Sequence, residues 1–395
     1  MATNYNASIV RSSLVMHYDM ANTQKSWLGA PVTNYIASPY ASHNGSAFVN
    51  FGYNNPALGA TYTYVTGVDN PINSPGVLEY YTGTDGYKYF SIDSQTLPTT
   101  GTYTFSYYAR LKVSGGASNK PIDNQLWRAN GSDRSVTGDW NPTFTSNWVR
   151  YKTTGPAEAS TILQYFPVHS GTIIGGYTIQ YCGFQLELGS YATPFVVGTR
   201  SNTGAVVDLT GTNTLTANSL TYVSDNTFSF NNSADYITPS SITDSMLNAS
   251  SWTVSSWVKF TTVNKGSDNA IVSHGSGTVS GGLHLSERNT QLYFGFYGND
   301  MGGSKVLSAG TWYNITFTYN NGSKLKTTYV NGIFDASGGS VGYSGVGSNF
   351  TIGRYPWGIG HALYGSLPVI QFYTRELSAI EVTQNFNALR GRYGI

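Results

Sequence analysis

Apolar and polar residues alternate with a period of two in short runs along most of the chain. Thr102 to Tyr108, Trp252 to Val258 and Trp312 to Tyr319 all show the pattern. A period of two puts successive side chains on opposite faces of a half-buried strand. Gly, Asn, Asp and Ser interrupt the runs. Asn320-Asn321-Gly322-Ser323 separates the Trp312 run from a new one at Lys324 to Val330, and Asn331-Gly332 closes the next turn. Asn-Gly between alternating runs is the strongest short hairpin signal. Many strands at spacings of about 8–12 residues predict a sandwich or jelly roll. One helix is predicted, over Ala379 to Arg390. Ser378 and Glu381 form a capping box, Ile380, Phe386 and Leu389 supply an apolar stripe, and Gly391 is the stop.

The 395 residues exceed one ordinary core and suit two domains. The expected fold class is therefore all-β: two antiparallel jelly-roll or β-sandwich domains and one short C-terminal helix. The abundance of Tyr (31), Phe (18) and Gly (45) agrees with pleated surfaces joined by tight turns. Charged residues make up only 10% of the chain and the net charge is +1. The densest basic stretch is Arg390 and Arg392, too little to replace phosphate counterions, so no nucleic acid is expected as a partner. Attraction to a membrane surface is equally unsupported, and no apolar run is long enough to span one. A neutral skin rich in Ser, Thr, Asn and Tyr suits neutral hydroxylated ligands or other protein. The N-terminal residues lack the pattern of a signal peptide. With Cys182 as the one cysteine, no intrachain disulfide forms; its neighbours Tyr181, Gly183 and Phe184 read as a strand interior.

Several segments of the C-terminal half resemble, in order, the laminin-G-like, concanavalin A-like jelly-roll family. They are Phe228 to Asn231 with Asp235 to Ile237, Ser251 to Val258, Gly310 to Tyr319, Tyr329 to Gly332, and Thr351 to Gly353. The tail from Leu377 to Gly394 looks like the phage-associated branch. Leu14 to Asn22 is similar to the family's opening strand, which usually runs on into a Trp and an Asp-Leu turn. Here Trp27 follows, but Val207-Asp208-Leu209-Thr210 comes far downstream. The resemblance thus implies a discontinuous domain, 1–32 plus 200–395, with a second domain, 33–199, inserted at a loop, where insertion is cheap. Asn147 to Tyr151 and Phe184 to Phe195 make that insert similar to a carbohydrate-binding-module-type jelly roll.

No catalytic set is expected. Concanavalin-like enzymes carry their acids as Glu-x-Asp-x-(x)-Glu, which is absent, and Glu79 and Glu187 lie far apart in sequence. The six histidines, His274 and His284 on facing strands among them, lack a Gly-x-Ser-x-Gly elbow or metal-ligand spacing. No cofactor is expected beyond a structural calcium, for which Asn299-Asp300 and Asp268-Asn269 are loop candidates, against the plainer reading of turn residues serving their own backbone. Trp148, Trp252, Trp257 and Trp312 lie on strand patterns and are expected in the core. The loop-like aromatics are candidate sugar platforms: Arg354, Tyr355, Trp357 and His361 with Tyr364, and in the insert Trp127-Arg128 and Trp140. The same residue types also dominate protein–protein contacts. What the resemblance implies is a non-enzymatic phage virion protein on the outer surface. It could be a capsid decoration, head fibre, or tail or baseplate component. Its expected partners are other virion proteins, further copies of itself, and cell-surface polysaccharide. A bacterial lectin or adhesin is the alternative, and a polysaccharide-degrading enzyme a more distant one.

Overall fold

The computed structural model describes residues 8–395 except 23–24, 37–60, 85, 114–123, 130–131, 140–141, 174, 224–226, 340, 348–349 and 359. The fold is all-β, with antiparallel pairing in every sheet. The chain divides into two compact units, Met1–Ala30 with Ser201–Ile395, and Pro31–Arg200.

The discontinuous unit is a sandwich of two sheets. The first runs Thr221–Val223, Thr227–Phe230, Gly365–Tyr373, Trp252–Phe260, Trp312–Asn320, Leu325–Val330 and Ile333–Gly338, with Leu14–Asp19 also on Gly365–Tyr373. The second runs Leu215–Asn218, Tyr236–Pro239, Thr351–Ile352, Asn269–Gly275, Gly282–Arg288, Gln291–Gly295 and Asp300–Gly302. Their inner faces meet over Met16, Tyr18, Trp252, Val254, Val258, Phe317 and Ile370 from the first, and Leu283, Leu285, Leu292 and Phe294 from the second. The two halves of the interrupted opening motif close on each other. His17 N–H donates to Asp208 Oδ1 at 2.8 Å across 191 residues of sequence, and Trp27 forms a bridge with Val206.

Turn chemistry is local. Asn331 and Gly332 both take positive φ (53° and 74°), the requirement of a two-residue type I′ hairpin between Val330 and Ile333. The preceding turn is different. The left-handed position there falls on Lys324 (φ 63°), and Asn320↔Leu325 leaves four residues in the loop.

The helix spans Ala379–Leu389 with the full Ser378–Glu381 capping box. Its expected stripe is corrected: Ile380 is 81% exposed, and Val382 and Asn385 are the buried residues. At 100° per residue, positions 382, 385, 386 and 389 share a face, while 380 points nearly opposite. Gly391 is not the left-handed stop either. It lies in a 3-10 turn, Arg390–Arg392, and Gly394 (φ 72°) takes the left-handed conformation.

The continuous unit has one sheet of Thr61–Thr66, Gly76–Tyr81, Thr178–Leu188, Gly101–Val113, Val149–Ala157 and Thr137–Gly138. A second holds Gly86–Asp93, Leu163–Ile173, Asn124–Ala129 and Ser132–Arg134. Its core is aromatic: Phe105 stacks on Tyr165 at 4.2 Å, with Tyr107, Tyr181 and Phe184 beside them. Cys182 is buried in the strand Thr178–Leu188, and burial pushes its thiol up to about 12.

The run from Phe184 to Phe195 acts as a clasp. Gln185 and Glu187 side chains accept the Val196 and Thr193 amides at 2.8 and 2.9 Å. Buried Asn34 completes it, donating to Phe184 O and Val196 O and accepting from Ile36 N and Leu186 N, each at 3.0 Å. All four of its bonds are satisfied. Asn34→Asp removes both donors and sets a charge against two carbonyls, so chemical denaturation is expected to show a loss of about 2–3 kcal/mol. A loss under about 0.5 kcal/mol would mean that the clasp contributes nothing net.

Candidate functional site

The outer face of the discontinuous unit's second sheet carries a polar–aromatic cluster, and the loop from Arg354 to Tyr364 lies on it. Strand alternation explains the floor. Leu283 and Leu285 point into the core, so His284, Ser286 and Arg288 point out, beside Tyr293 of the next strand. His274 belongs to the other face: Ser273, not His274, is the register partner of His284. His274 is bonded to Tyr343 and Asp244.

Asp268 anchors the loop. Arg288 grips its carboxylate with two bonds of 2.6 Å, and the Tyr355 hydroxyl donates to the same carboxylate. The Asp268 amide donates to His361 Nδ1 at 3.2 Å, so that nitrogen carries no proton. Burial raises the Asp268 carboxyl, but the bonds from Arg288 and Tyr355 and the Arg288 charge outweigh it and hold its pKa below the usual value. Tyr355 is sandwiched by rings, with His361 stacked at 4.9 Å and Trp357 at 5.4 Å. Burial, with the charge on Asp268 and a hydrogen bond to it, pushes the Tyr355 phenol far up. Glycines make room for Trp357. A Cβ on Gly277 would sit 2.9 Å from its Cδ1 and one on Gly282 3.1 Å from its Cζ2.

The five residues named from sequence in this loop therefore separate by role. Trp357 and His361 are half-exposed and face outward; Tyr355 is buried and serves as the pillar beneath them. Arg354 turns away, its guanidinium 3.4 Å over the Tyr236 ring and bonded to Ser233 O. The loop's far end opens on a groove of about 310 Å³ lined by Thr262, Lys265, Ser267, Gly360 and Tyr364. Tyr364 is 37% exposed there, with the Lys265 ammonium 4.8 Å from its ring. Burial lowers the Lys265 pKa against the pull of Asp268 and Glu287. Thr262, Lys265 and Ser267 were not singled out from sequence. The available signal was a lysine inside a Ser/Thr/Asn/Gly turn of a chain poor in charge.

The calcium candidates are otherwise engaged. Asp300 Oδ1 lies 3.4 Å from His284 Nε2, and its carboxylate accepts from Tyr293 at 3.2 Å. The Asn299 carbonyl faces the buried Lys326 ammonium, which repels a divalent ion, and its amide donates to Ser280. Asp268 is held by Arg288, and Asn269 spans Thr262 O, Glu287 and the Tyr364 amide. These donors do not fit calcium. No group of three acidic, His or Cys side chains suited to a metal occurs among the described residues.

In the continuous unit, Trp127 and Arg128 lie on the strand Asn124–Ala129, but their side chains, like all of Trp140, fall outside the described residues. Trp148, expected in the core, is corrected. The strand starts at Val149, so Trp148 sits on the turn before it, half-exposed, its Nε1 donating to Asp69 O at 3.0 Å. Trp252 is in the core as expected. Trp257 is buried, but on the first sheet's outer face, and Trp312 is half-buried near it.

Comparison with family models agrees with this architecture. Residues 231–383 match the Laminin_G_3 family, described as the concanavalin A-like lectin/glucanases superfamily. No curated protein matches. Among solved structures, domain 4 of AbnA, a GH43 extracellular arabinanase from Geobacillus stearothermophilus, in complex with arabinotriose, is 20% identical, with 47% of this chain and 92% of that one aligned and a TM-score of 0.37. The CBM40 of the Ruminococcus gnavus IT-sialidase, bound to alpha2,3 sialyllactose, is 18% identical over 34% of this chain and 80% of that one, at a TM-score of 0.29. The botulinum neurotoxin serotype G binding domain is 17% identical over 46% and 48%, at 0.36. Those identities and scores are too low to carry a ligand or a site across. Residues 231–383 are thus similar to the laminin-G-like, concanavalin A-like jelly rolls, within a sandwich that also takes strands from outside that span.

Proposed function

We propose that this chain is a non-enzymatic glycan-binding protein displayed on the outer surface of a bacteriophage particle, as a capsid decoration, head fibre, or tail or baseplate component. The observation that carries the binding role is the Arg354–Tyr364 loop. A buried ion pair and a ring stack fix it to the sheet, and Trp357, His361 and Tyr364 are left facing solvent beside a polar groove. A rigid aromatic next to a few fixed polar groups is the usual make-up of a small-ligand site. The sparse charge of the chain suits a neutral, hydroxyl-rich partner. The particle assignment rests on the resemblance of Leu377 to Gly394 to phage-associated relatives; its partners there would be other virion proteins and copies of itself.

The electrostatics favour binding over hydrolysis. A glycosidase needs one carboxyl held protonated and a second held ionised. Asp268 and Asp300 are both held below the ordinary carboxylate value. At Asp300, burial raises the pKa and is outweighed by the bond and charge of His284 and the bond from Tyr293. Neither is set up as an acid. A bacterial surface lectin or adhesin would use the same loop, and the location of the protein decides between the two.

The test is titration of the purified chain with host envelope polysaccharide, alongside Trp357→Ala and Trp140→Ala. Saturable binding weakened at least about tenfold by Trp357→Ala is expected, the scale of one lost aromatic contact. Folded protein that does not bind would remove the glycan role and leave assembly and decoration. Gold-labelled antibody on intact particles tests the location, and labelling of host cells alone would favour the adhesin.

A further inference from the structure

A second cluster lies in the continuous unit, on strands that the loop site does not touch. Glu79, Gln180 and Arg110 are direct register partners on three adjacent antiparallel strands: Gln180↔Glu79 and Gln180↔Arg110. Direct cross-strand partners sit close enough to bond, and these form a directed chain. Arg110 Nε donates to Gln180 Oε1 at 2.6 Å, and Gln180 Nε2 donates to Glu79 Oε1 at 2.5 Å. Lys112 reaches Glu79 from the strand's next outward position, at 2.8 and 3.0 Å. All donors of this ladder point toward Glu79, whose carboxylate accepts three bonds. The terminal nitrogens of Arg110 have no partner among the described residues.

This ladder floors a cleft of about 450 Å³ walled by Val65, Val68, Leu111 and Ser146. Trp148 stands at its side. The guanidinium of Arg110 lies 4.7 Å from the Trp148 ring, and the indole is pinned by Asp69 O. One carboxylate against two cations gives the floor a net charge of +1, in a chain otherwise nearly neutral. A fixed guanidinium fork with free N–H groups matches a carboxylate. The apolar walls and half-exposed indole match a ring with one apolar face.

We propose that this cleft is a second ligand site, distinct from the Arg354–Tyr364 loop, and that it takes an acidic saccharide whose carboxylate docks on Arg110 while its ring lies along Trp148, Val65 and Val68. Uronates and sialates share the required chemistry, so both are probes. The site is independent of the loop in sequence and in residues, and its failure would leave the loop reading intact.

The experiment is isothermal titration of the full chain with trigalacturonate, with sialyllactose, and with neutral galactose oligomers of matched size. Binding of at least one acidic probe is expected, at least tenfold tighter than the neutral oligomer and weakening as NaCl rises from about 50 to 500 mM, because an exposed pair is screened. Arg110→Gln is expected to lower acidic-probe affinity at least tenfold. Lys112→Ala, at a side chain that is 47% exposed, keeps the fold and is expected to lower it about threefold through the unbalanced Glu79. Ile380→Ser, at an exposed helix position outside both sites, is expected to leave acidic-probe binding unchanged. Equal affinity for neutral and acidic probes, no heat at millimolar probe, or unchanged binding in both cleft variants would each overturn the proposal. Equal binding of a glutamate peptide would overturn the saccharide assignment.

Discussion

Asp268→Ala is expected to destabilise the discontinuous unit by about 3–5 kcal/mol, the range seen when one partner of a buried pair is removed. Asp268 is 2% exposed, and its carboxylate receives two bonds from Arg288, one from Tyr355 and a long one from Ser286. Deleting it leaves a half-buried guanidinium without its counter-charge and a phenol without its acceptor. The Tyr355–Trp357–His361 stack then loses its anchor. At about 2–4 °C per kcal/mol for a unit of this size, calorimetry is expected to show a fall of roughly 6–20 °C. Asp268→Asn keeps one acceptor for Tyr355 and is expected to fall between wild type and Ala. Glycan binding is expected to disappear in Asp268→Ala even where the protein is still folded, because the loop is no longer preorganised. Full stability in the Ala variant would mean that the loop is held by its backbone bonds, Tyr355 N to His361 O and Leu363 N to Gly353 O, rather than by the ion pair.

The alternation of the runs at Trp252 and Trp312 was enough to read an antiparallel sandwich, because a period of two has one structural meaning when Gly and Asn punctuate it. Position within the sandwich was not legible. Trp252 and Trp257 both sit on a strand pattern, yet an odd spacing of five places them on opposite faces, and Tyr393 together with Phe386 of the helix makes the Trp257 face a buried one. The loop Arg354 to His361 announced itself by its aromatics. Which of them would face outward depended on Asp268, 87 residues away from Tyr355, and no local pattern encodes that contact. The Lys265 groove escaped notice for the same reason, being shared by two turns distant in sequence. Trp148 lies one residue before the strand begins at Val149, half-exposed beside the Arg110 guanidinium rather than in the core, and the local pattern does not mark where that strand starts.

Trp257→Ala is the second large effect, expected at about 3–5 kcal/mol, the cost of emptying a buried tryptophan site. Trp257 is 1% exposed, although it points away from the inter-sheet core. Its cover is Tyr393, stacked at 4.1 Å, and Phe386, stacked at 5.9 Å. Around it the outer face is polar: Asn314 and Thr316 bond Ser255, and Asn385 reaches Gln371 and Tyr373 from the helix. The helix Ala379–Leu389 is thus docked by Phe386 of this aromatic stack and by Val382, which packs with Val10, Tyr329, Tyr373 and Leu377, so the stack carries a large part of its apolar contribution. Two consequences separate this account from a general loss of packing. Trp257→Ala and Tyr393→Ala share one contact, so their costs are expected to be non-additive by about 1 kcal/mol or more in a double-mutant cycle. Ile380→Ser, on the same helix but 81% exposed, is expected to stay within about 0.5 kcal/mol of wild type. Additive costs for the first pair, or a large loss for Ile380→Ser, would show that the helix docks through a different face from the one described.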